Sequence, residues 1–429
     1  MRDEVEWMFQ GLSGLPLLLF QSYPIHAWVA FRKAHGAPVA EASQRVSVIV
    51  PLHGAEPELR SNLRSLLEQD SLADYEVLLC MEDASDDAAA VAEQLSAEIP
   101  GRARLVLSGP AGAELGKLHN LMAGVAAANG SVFVFVDGDA RLPSRTYLAK
   151  FIAPLANPSI GCVTCYPIYR GGRDLGTLLL AGLINVDLRG TFVVRSAWGG
   201  GAFANGACMA LRKETLERAG GLGRLRRRML MDSRLAQNVT RLGLRTVVHP
   251  HPVLIDRERT TLREMWDQST RWHVAMFRGL EPWTWVAFGW LRSALLLAVV
   301  HLLATPNSLT ARGVLTGIVC VRAGQAATLP GAGWRIADVV RRAIAQPFAD
   351  ILGAIAWLFA MSQSTVRWRD RRYRVAPGGE MTLVRSPARR EGVAPPVPAR
   401  AATRGIGEAG FLREHPRLES GAEALRDAP

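Results

Sequence analysis

Four short apolar runs between residues 46 and 137 restrict the possible folds more than anything else in this chain. They read VSVIVPL (46–52), YEVLLC (75–80), RARLVLS (102–108) and SVFVFVD (131–137). Their length and β-branched content mark buried strands. Segments of helical period lie between them, with Leu59, Leu63, Leu66 and Leu67 after the first run and residues 118–129 before the last. Strands alternating with helices form a mainly parallel α/β sheet. Such sheets bind ligands beyond the carboxyl ends of their strands, which is where Asp83 and Asp137 fall. Residues 160–280 are mixed, with the glycine-rich WGGGAFANG (198–206), a polar helix over 232–242 and a further helix near 261–278.

The rest of the chain points to a membrane. Hydrophobic residues make up 49% of 429, high for a purely soluble protein. Residues 8–31 are apolar but broken by Pro16, Pro24 and His26 and followed by Arg32 and Lys33, a pattern open to crossing a bilayer or lying in its interface. They lack the basic start and small-residue cleavage site of a signal peptide. Three later stretches, 285–305, 313–329 and 344–362, approach membrane-spanning length and are interrupted by Arg292, Arg322 and Asp350. Arg367, Arg369, Arg371, Arg372 and Arg374 follow, which marks a cytoplasmic end. If the catalytic region is cytoplasmic too, the crossings between must be even in number, so one of the three stretches does not cross or is re-entrant. The organisation expected is an N-terminal hydrophobic segment (1–40), an α/β domain (41–280), membrane-associated helices (281–365), a cytoplasmic basic segment (366–384) and a disordered tail rich in Pro, Ala, Arg and Glu (385–429).

The net charge of +11 suits an anionic lipid, an anionic substrate or basic flanks beside membrane helices. No zinc-finger or RRM signature accompanies it, so no nucleic-acid partner is expected. The five scattered cysteines suggest a reducing compartment. The lone pair Cys162 and Cys165 reads as a buried strand end before a zinc or redox site.

Five pieces carry chemistry. In FVDGDA (135–140) a strand delivers Asp137 and Asp139 on a turn allowed by Gly138; two carboxylates there suit a divalent metal that neutralises a diphosphate, against the plainer reading of a strand-end turn. Asp83, after the second strand, has the geometry to accept from a uracil or ribose, or belongs to a charged loop with Asp86 and Asp87. Lys117, in GKLHN, opens a helix just ahead of the acidic strand, placing a cation and a helix N-terminus near a diphosphate; a surface lysine is the alternative. Asp232, in MLMDSRLA, is a general-base candidate or simply a first-turn acid favoured by the helix dipole. Gln268, Arg271 and Trp272 share one helix face, fit to orient a hydroxyl, clamp phosphate and cap an acceptor, or to rest on a membrane.

The order D, K-x-x-N, D-x-D, D, Q-x-x-R-W from about Val46 to Arg278 resembles the GT-A-fold glycosyltransferases of the family 2/21 type. The likeness is greatest to ceramide glucosyltransferases and bacterial hopanoid-biosynthesis glycosyltransferases. It resumes in VRWRDRRYRVAPGGEM (366–381), similar to the W-R-x-x-x-Y-R segment that closes such enzymes. The resemblance implies a metal-dependent hexosyltransferase with a UDP-sugar donor, a divalent cation (Mg or Mn) and inversion at the anomeric carbon. Position by position, Asp83 would contact the nucleotide, Asp137 and Asp139 the metal and diphosphate, and Asp232 would be the base. Gln268, Arg271 and Trp272 would serve the leaving diphosphate and the acceptor entrance. Met231 stands where the family usually has an acidic residue, leaving Asp232 as the carboxylate in place. Of the 50 basic residues 46 are arginine, which suggests a GC-rich bacterial genome. The expectation is therefore a multi-pass protein of the bacterial inner membrane moving N-acetylglucosamine to a hopanoid. Ceramide with UDP-glucose, a processive polysaccharide synthase and a non-catalytic membrane scaffold are the alternatives.

Overall fold

The computed structural model of the chain describes residues 2–22, 25–26, 45–70, 72, 74–190, 192, 203–279, 282–328, 335–368 and 371–385. The expected disordered tail, most of the stretch between 23 and 44, and residues 198–202 of the glycine-rich segment lie outside these. The chain opens with helix α1 (Arg2–Gln21). The four runs then form strands β1 (Val46–Pro51), β2 (Tyr75–Met81), β3 (Ala103–Leu107) and β4 (Val132–Val136). Helices α2 (Leu59–Leu67), α3 (Asp87–Glu98) and α4 (Gly116–Ala127) connect them. β1 pairs in parallel with both β2 and β4, and β2 with β3. Gly124 lets α4 lie on this sheet: a Cβ there would come within 2.3 Å of Ile49 and 2.7 Å of the Cys80 sulfur. Lys117 is thereby fixed at the end of α4 that overlooks the carboxyl edge of the sheet.

Elements not read from the sequence extend this half. They are β5 (Ala140–Arg141), α5 (Tyr147–Ile152), β6 (Ile160–Thr164), β7 (Pro167–Gly171), α6 (Leu175–Gly182), β8 (Cys208–Arg212) and α7 (Lys213–Arg218). The expected polar helix follows as α8 (Met231–Arg241), then β9 (Arg245–Val248) and β10 (Val253–Arg257). The main sheet has seven strands in the order β3-β2-β1-β4-β8-β6-β9. Only β8 runs antiparallel to its neighbours, so the mainly parallel α/β class expected from the sequence is the one observed. Cys162 lies inside β6 and Cys165 just beyond it, both buried and free, which is the plainer of the two readings. A second sheet, β5-β10-β7, stands beside the first and receives the chain directly after Asp139.

The next helix, α9 (Leu262–Gly279), leads into α10 (Pro282–Arg292), α11 (Ala294–Ala304), α12 (Leu309–Ala327) and α13 (Ile336–Met361). The apolar stretch expected over 285–305 is thus two 11-residue helices broken at Ser293, each about 17 Å long and too short to cross a ~30 Å hydrocarbon core. The break follows Gly289, where Trp357 of α13 packs so closely that no side chain fits. Among the described residues one helix, the 26-residue α13, is long and apolar enough to cross a membrane. Helix α1 packs on this group: Phe9 stacks on His301 at 5.6 Å and Trp290 Nε1 donates to Leu12 O at 2.9 Å. The basic segment expected over 366–384 folds as an antiparallel sheet, β11 (Thr365–Trp368), β12 (Arg371–Val375) and β13 (Met381–Arg385). It returns to the α/β part, where Val366, Tyr373, Val375 and Met381 join the core beside α8.

Candidate active site

β4 ends at Val136, so Asp137 is the first residue past the sheet edge, and its N–H donates to Ala207 O at 3.1 Å. Its carboxylate meets Lys117 Nζ of α4 at 2.5 Å. Lys117 also reaches Gly206 O at 3.5 Å, while the Gly206 N–H donates to Asp232 Oδ2 at 2.7 Å. Gly206 is therefore a hub between the lysine and Asp232. A Cβ there would lie 3.1 Å from Lys117 Nζ and 3.2 Å from Asp232 Oδ2. Asp232 sits in the first turn of α8, and its other oxygen accepts from the Ser233 N–H at 2.8 Å. Asp139 is turned the other way by β5 and pairs with Arg257 Nη2 of β10 at 3.0 Å. The same guanidinium reaches Glu56 at 3.1 Å.

The charges read one another. Burial pushes the Asp137 carboxyl up to about 6, with Asp139 and Asp232 adding to the rise and Lys117 opposing it. Burial also raises Asp232, against the lowering pull of Lys117 and the N–H groups of Ser233 and Gly206. For Lys117, burial alone would lower the ammonium, but Asp137, Asp232 and Asp139 outweigh it and hold it above the ordinary lysine value. Asp137, Asp139 and Asp232 thus share one electrostatic neighbourhood.

The residues fit a divalent cation in a limited way. Asp137 and Asp139 offer hard oxygen donors, suited to Mg or Mn rather than to softer metals. Among the described residues no group of three or more His, Cys, Asp or Glu side chains could hold a metal. A cation there would need phosphate oxygens and water to complete its shell, the usual arrangement for Mg with a nucleotide.

Tyr169 of β7 connects this cluster to α9. Gln268 Nε2 donates to its hydroxyl at 3.3 Å. Burial raises the Tyr169 phenol, Asp139 raises it further, and Arg257, Gln268 and Arg271 act against the rise. Arg271 lies with its guanidinium 5.1 Å from the centre of the Trp368 ring. Trp272 is half-buried against the cluster formed by Tyr169, Leu179, Leu180 and Ala349 of α13. Asp83 stands apart. It is exposed beyond β2, and its carboxylate accepts from the N–H of Ser85 at 2.8 Å within its own loop. The loops after β1 and β2 are instead joined by Asp86, which accepts from Gly54 N–H at 2.7 Å and lies 2.9 Å from His53 Nδ1.

The structure therefore gathers Lys117, Asp137, Asp139 and Asp232 and, through Tyr169, Gln268 and Arg271. Sequence reasoning missed Tyr169, Arg257 and Gly206. Arg257 leaves a faint trace, a charged DRER run ending the apolar VLI; Tyr169 leaves none that distinguishes it from a core residue.

The glycosyl transferase family 21 model matches residues 16–381. The chain is 25% identical over 238 residues to the probable glycosyltransferase YdaM of Bacillus subtilis (strain 168), covering 53% of this chain and 54% of that protein. It is 21% identical over 280 residues to ceramide glucosyltransferase 1 of Caenorhabditis elegans, covering 62% and 60%. The matches thus span between half and two thirds of the length of these curated relatives. Among solved structures, the mannosyltransferase PcManGT from Pyrobaculum calidifontis in complex with GDP-Man and Mn2+ is similar with a TM-score of 0.46 at 22% identity, over 83% of this chain and 99% of that one.

Proposed function

Since the chain belongs to glycosyl transferase family 21, we propose that it is an inverting, GT-A-type glycosyltransferase that moves a hexose from a UDP-sugar to a lipid hydroxyl. The observation that carries this reading is the chain of contacts from Asp137 to Lys117, Gly206 and Asp232 at the carboxyl edge of the sheet, with Asp139 close enough to add to their field. Asp232 is the base. Its raised proton affinity lets it take the proton as the acceptor oxygen attacks the anomeric carbon. The bond from that carbon to the diphosphate oxygen breaks, and UDP leaves on the opposite face. Lys117 and Arg271 neutralise the departing charge. Asp137 and Asp139 would hold a divalent cation, which would supply further neutralisation of the diphosphate. Asp83, in the loop beyond β2, would meet the nucleoside if its loop turns from Ser85.

A lipid acceptor is supported by the contact of the site with the helices that follow. Trp272 packs against the apolar cluster that includes Tyr169 and Ala349 of α13, the helix long enough to cross a bilayer. Of the acceptors, a hopanoid receiving N-acetylglucosamine rests on the arginine-rich, bacterial character of the chain. Ceramide receiving glucose rests on the likeness to a protein named for that reaction. The setting is a bacterial inner membrane with the cleft on the cytoplasmic side. The test uses membranes from expressing cells and radiolabelled UDP-sugars. Asp232→Asn is expected to lower transfer by roughly 10²–10⁴-fold, the usual share of a positioned base; full transfer by this variant sinks the assignment. Mass spectrometry of the labelled lipid separates hopanoid from ceramide.

A further inference from the structure

The W-R-x-x-x-Y-R segment has no part in the chemistry described so far, yet it reaches both Arg271 and the loop after β2. Trp368 closes β11 and is the cross-strand partner of Arg371 in β12. From this one rung, two side chains reach two different walls. The Trp368 ring lies under the Arg271 guanidinium at 5.1 Å. Arg371 meets Glu82, the residue just past β2, at 3.4 Å and donates to Glu114 O at 3.4 Å. Glu82 in turn accepts from the Ala111 N–H at 3.1 Å and lies so near Gly116 that a Cβ there would stand 3.0 Å from its oxygen. Gly116 is the first residue of α4, next to Lys117.

The sheet is also sewn to the protein by backbone bonds. Gly378 N–H donates to Arg278 O at 2.7 Å, and Met381 N–H donates to Arg227 O at 2.7 Å. Its inner face is core: Tyr373 is 3% exposed and Val375 1%. The ring under Arg271 therefore sits on a fixed platform rather than on a mobile arm. An arginine on a long stem loses much rotamer freedom when it binds phosphate, and a flat aromatic surface removes that freedom beforehand.

The geometry points to Trp368 as a positioning residue that holds Arg271 flat at the diphosphate end of the cleft, with the β11–β12 rung setting the distance between the two cations, Lys117 and Arg271, that grip the donor. This rests on the assignment of Arg271 to the diphosphate made above.

The experiment measures UDP affinity by calorimetry on detergent-solubilised full-length protein with Mn2+, alongside KM and kcat for the UDP-sugar. W368L is expected to weaken UDP binding about tenfold, the scale of a desolvated cation–aromatic contact, and to raise KM more than it lowers kcat. W368F keeps a ring face and should stay within about twofold of wild type. In an R271A background the W368L change should add nothing, because a residue acting through Arg271 has nothing left to position. Should W368L fail to accumulate, W368M keeps the bulk without the ring and serves in its place. Unchanged UDP affinity in W368L or W368M, or an effect that adds fully to that of R271A, overturns the proposal while the transferase reading stands. If wild-type protein itself does not bind UDP, that reading fails and this one with it.

Discussion

Asp137 and Asp232 draw different properties from one neighbourhood because their hydrogen-bond partners differ. Asp137 touches an ammonium and is still pushed up to about 6, because it is buried and the charges of Asp139 and Asp232 add to the rise. A cation and a diphosphate arriving together would relieve that repulsion, which couples metal to donor. Asp232 keeps its raised affinity against two backbone donors, the balance a base needs. Asp86, at the other end of the acidic loop, is the opposite case. Burial alone would raise its pKa, but hydrogen bonds from His53, Ala88 and Gly54 outweigh it and bring it to about 2, from 3.8. A folded-state pKa below the unfolded one favours the folded state wherever the carboxyl is ionised. That contribution is present in full above pH 3.8 and lost as pH falls through 2. It amounts to about 2 kcal/mol, credible because the side chain is only 9% exposed. Asp86→Asn is therefore expected to melt below wild type at pH 7. The gap should narrow steadily in thermal melts taken from pH 4 downward; a gap independent of pH would show that capping geometry, not charge, does the stabilising.

The helices show the same rule at larger scale: charges that break an apolar pattern are there to meet one another. Arg292, Arg322 and Asp350 interrupt the three apolar stretches, and the structure brings them together. Arg322 reaches Asp350 at 2.6 and 3.0 Å and also pairs with Asp187, which Arg292 meets at 3.0 Å. Arg292 then donates to His273 Nε2 of α9 at 2.7 Å, one residue from Trp272. Removing one member of a buried pair leaves its partner uncompensated, at a cost of about 3–5 kcal/mol. R322M should lower the melting temperature in detergent sharply, and R322M with D350L should recover most of the loss; a double variant as unstable as the single one would mean the pair itself stabilises. Element by element, legibility followed locality. β1 to β4 were readable because each is a self-contained apolar run, as were α2 and α4 but not the alanine-rich α3, and Asp137 and Asp139 came with them as strand-end acids. β6, β8 and β9 were not, although β6 and β8 are as long as β3 and β4, because they are defined by partners far along the chain. Tyr169 and Arg257 were lost for that reason: they meet Asp139 only because β10 pairs with both β5 and β7. The break at Ser293 was hidden too, inside a stretch that reads as one apolar run.

Across the whole molecule, α13 is built inside out relative to a helix of a soluble core. Its buried positions are small or polar: Ala345, Gln346, Ala349, Asp350, Gly353, Ala354, Ala356 and Ala360. Its large apolar side chains face outward, with Ile344 63% exposed, Phe348 58% and Ile355 43%. Helix α1 does likewise with Trp7, 74% exposed, and Leu18, 62%. Small residues inward and large apolar ones outward is the packing of helices in lipid, where close backbone approach replaces the hydrophobic drive. Apolar side chains turned outward on both helices need cover, and a bilayer would supply it. Charge on this face should therefore act on membrane residence and leave the donor site alone. Ile344 and Phe348 lie one turn apart near the middle of α13, where an aspartate costs about 2.5–3.5 kcal/mol on insertion scales. I344D/F348D is expected to shift protein from the carbonate-resistant membrane fraction into the supernatant, with UDP affinity in detergent unchanged. A double variant that remains in the membrane at the wild-type level would put this face against protein instead, and the route proposed for a lipid acceptor would have to be drawn elsewhere.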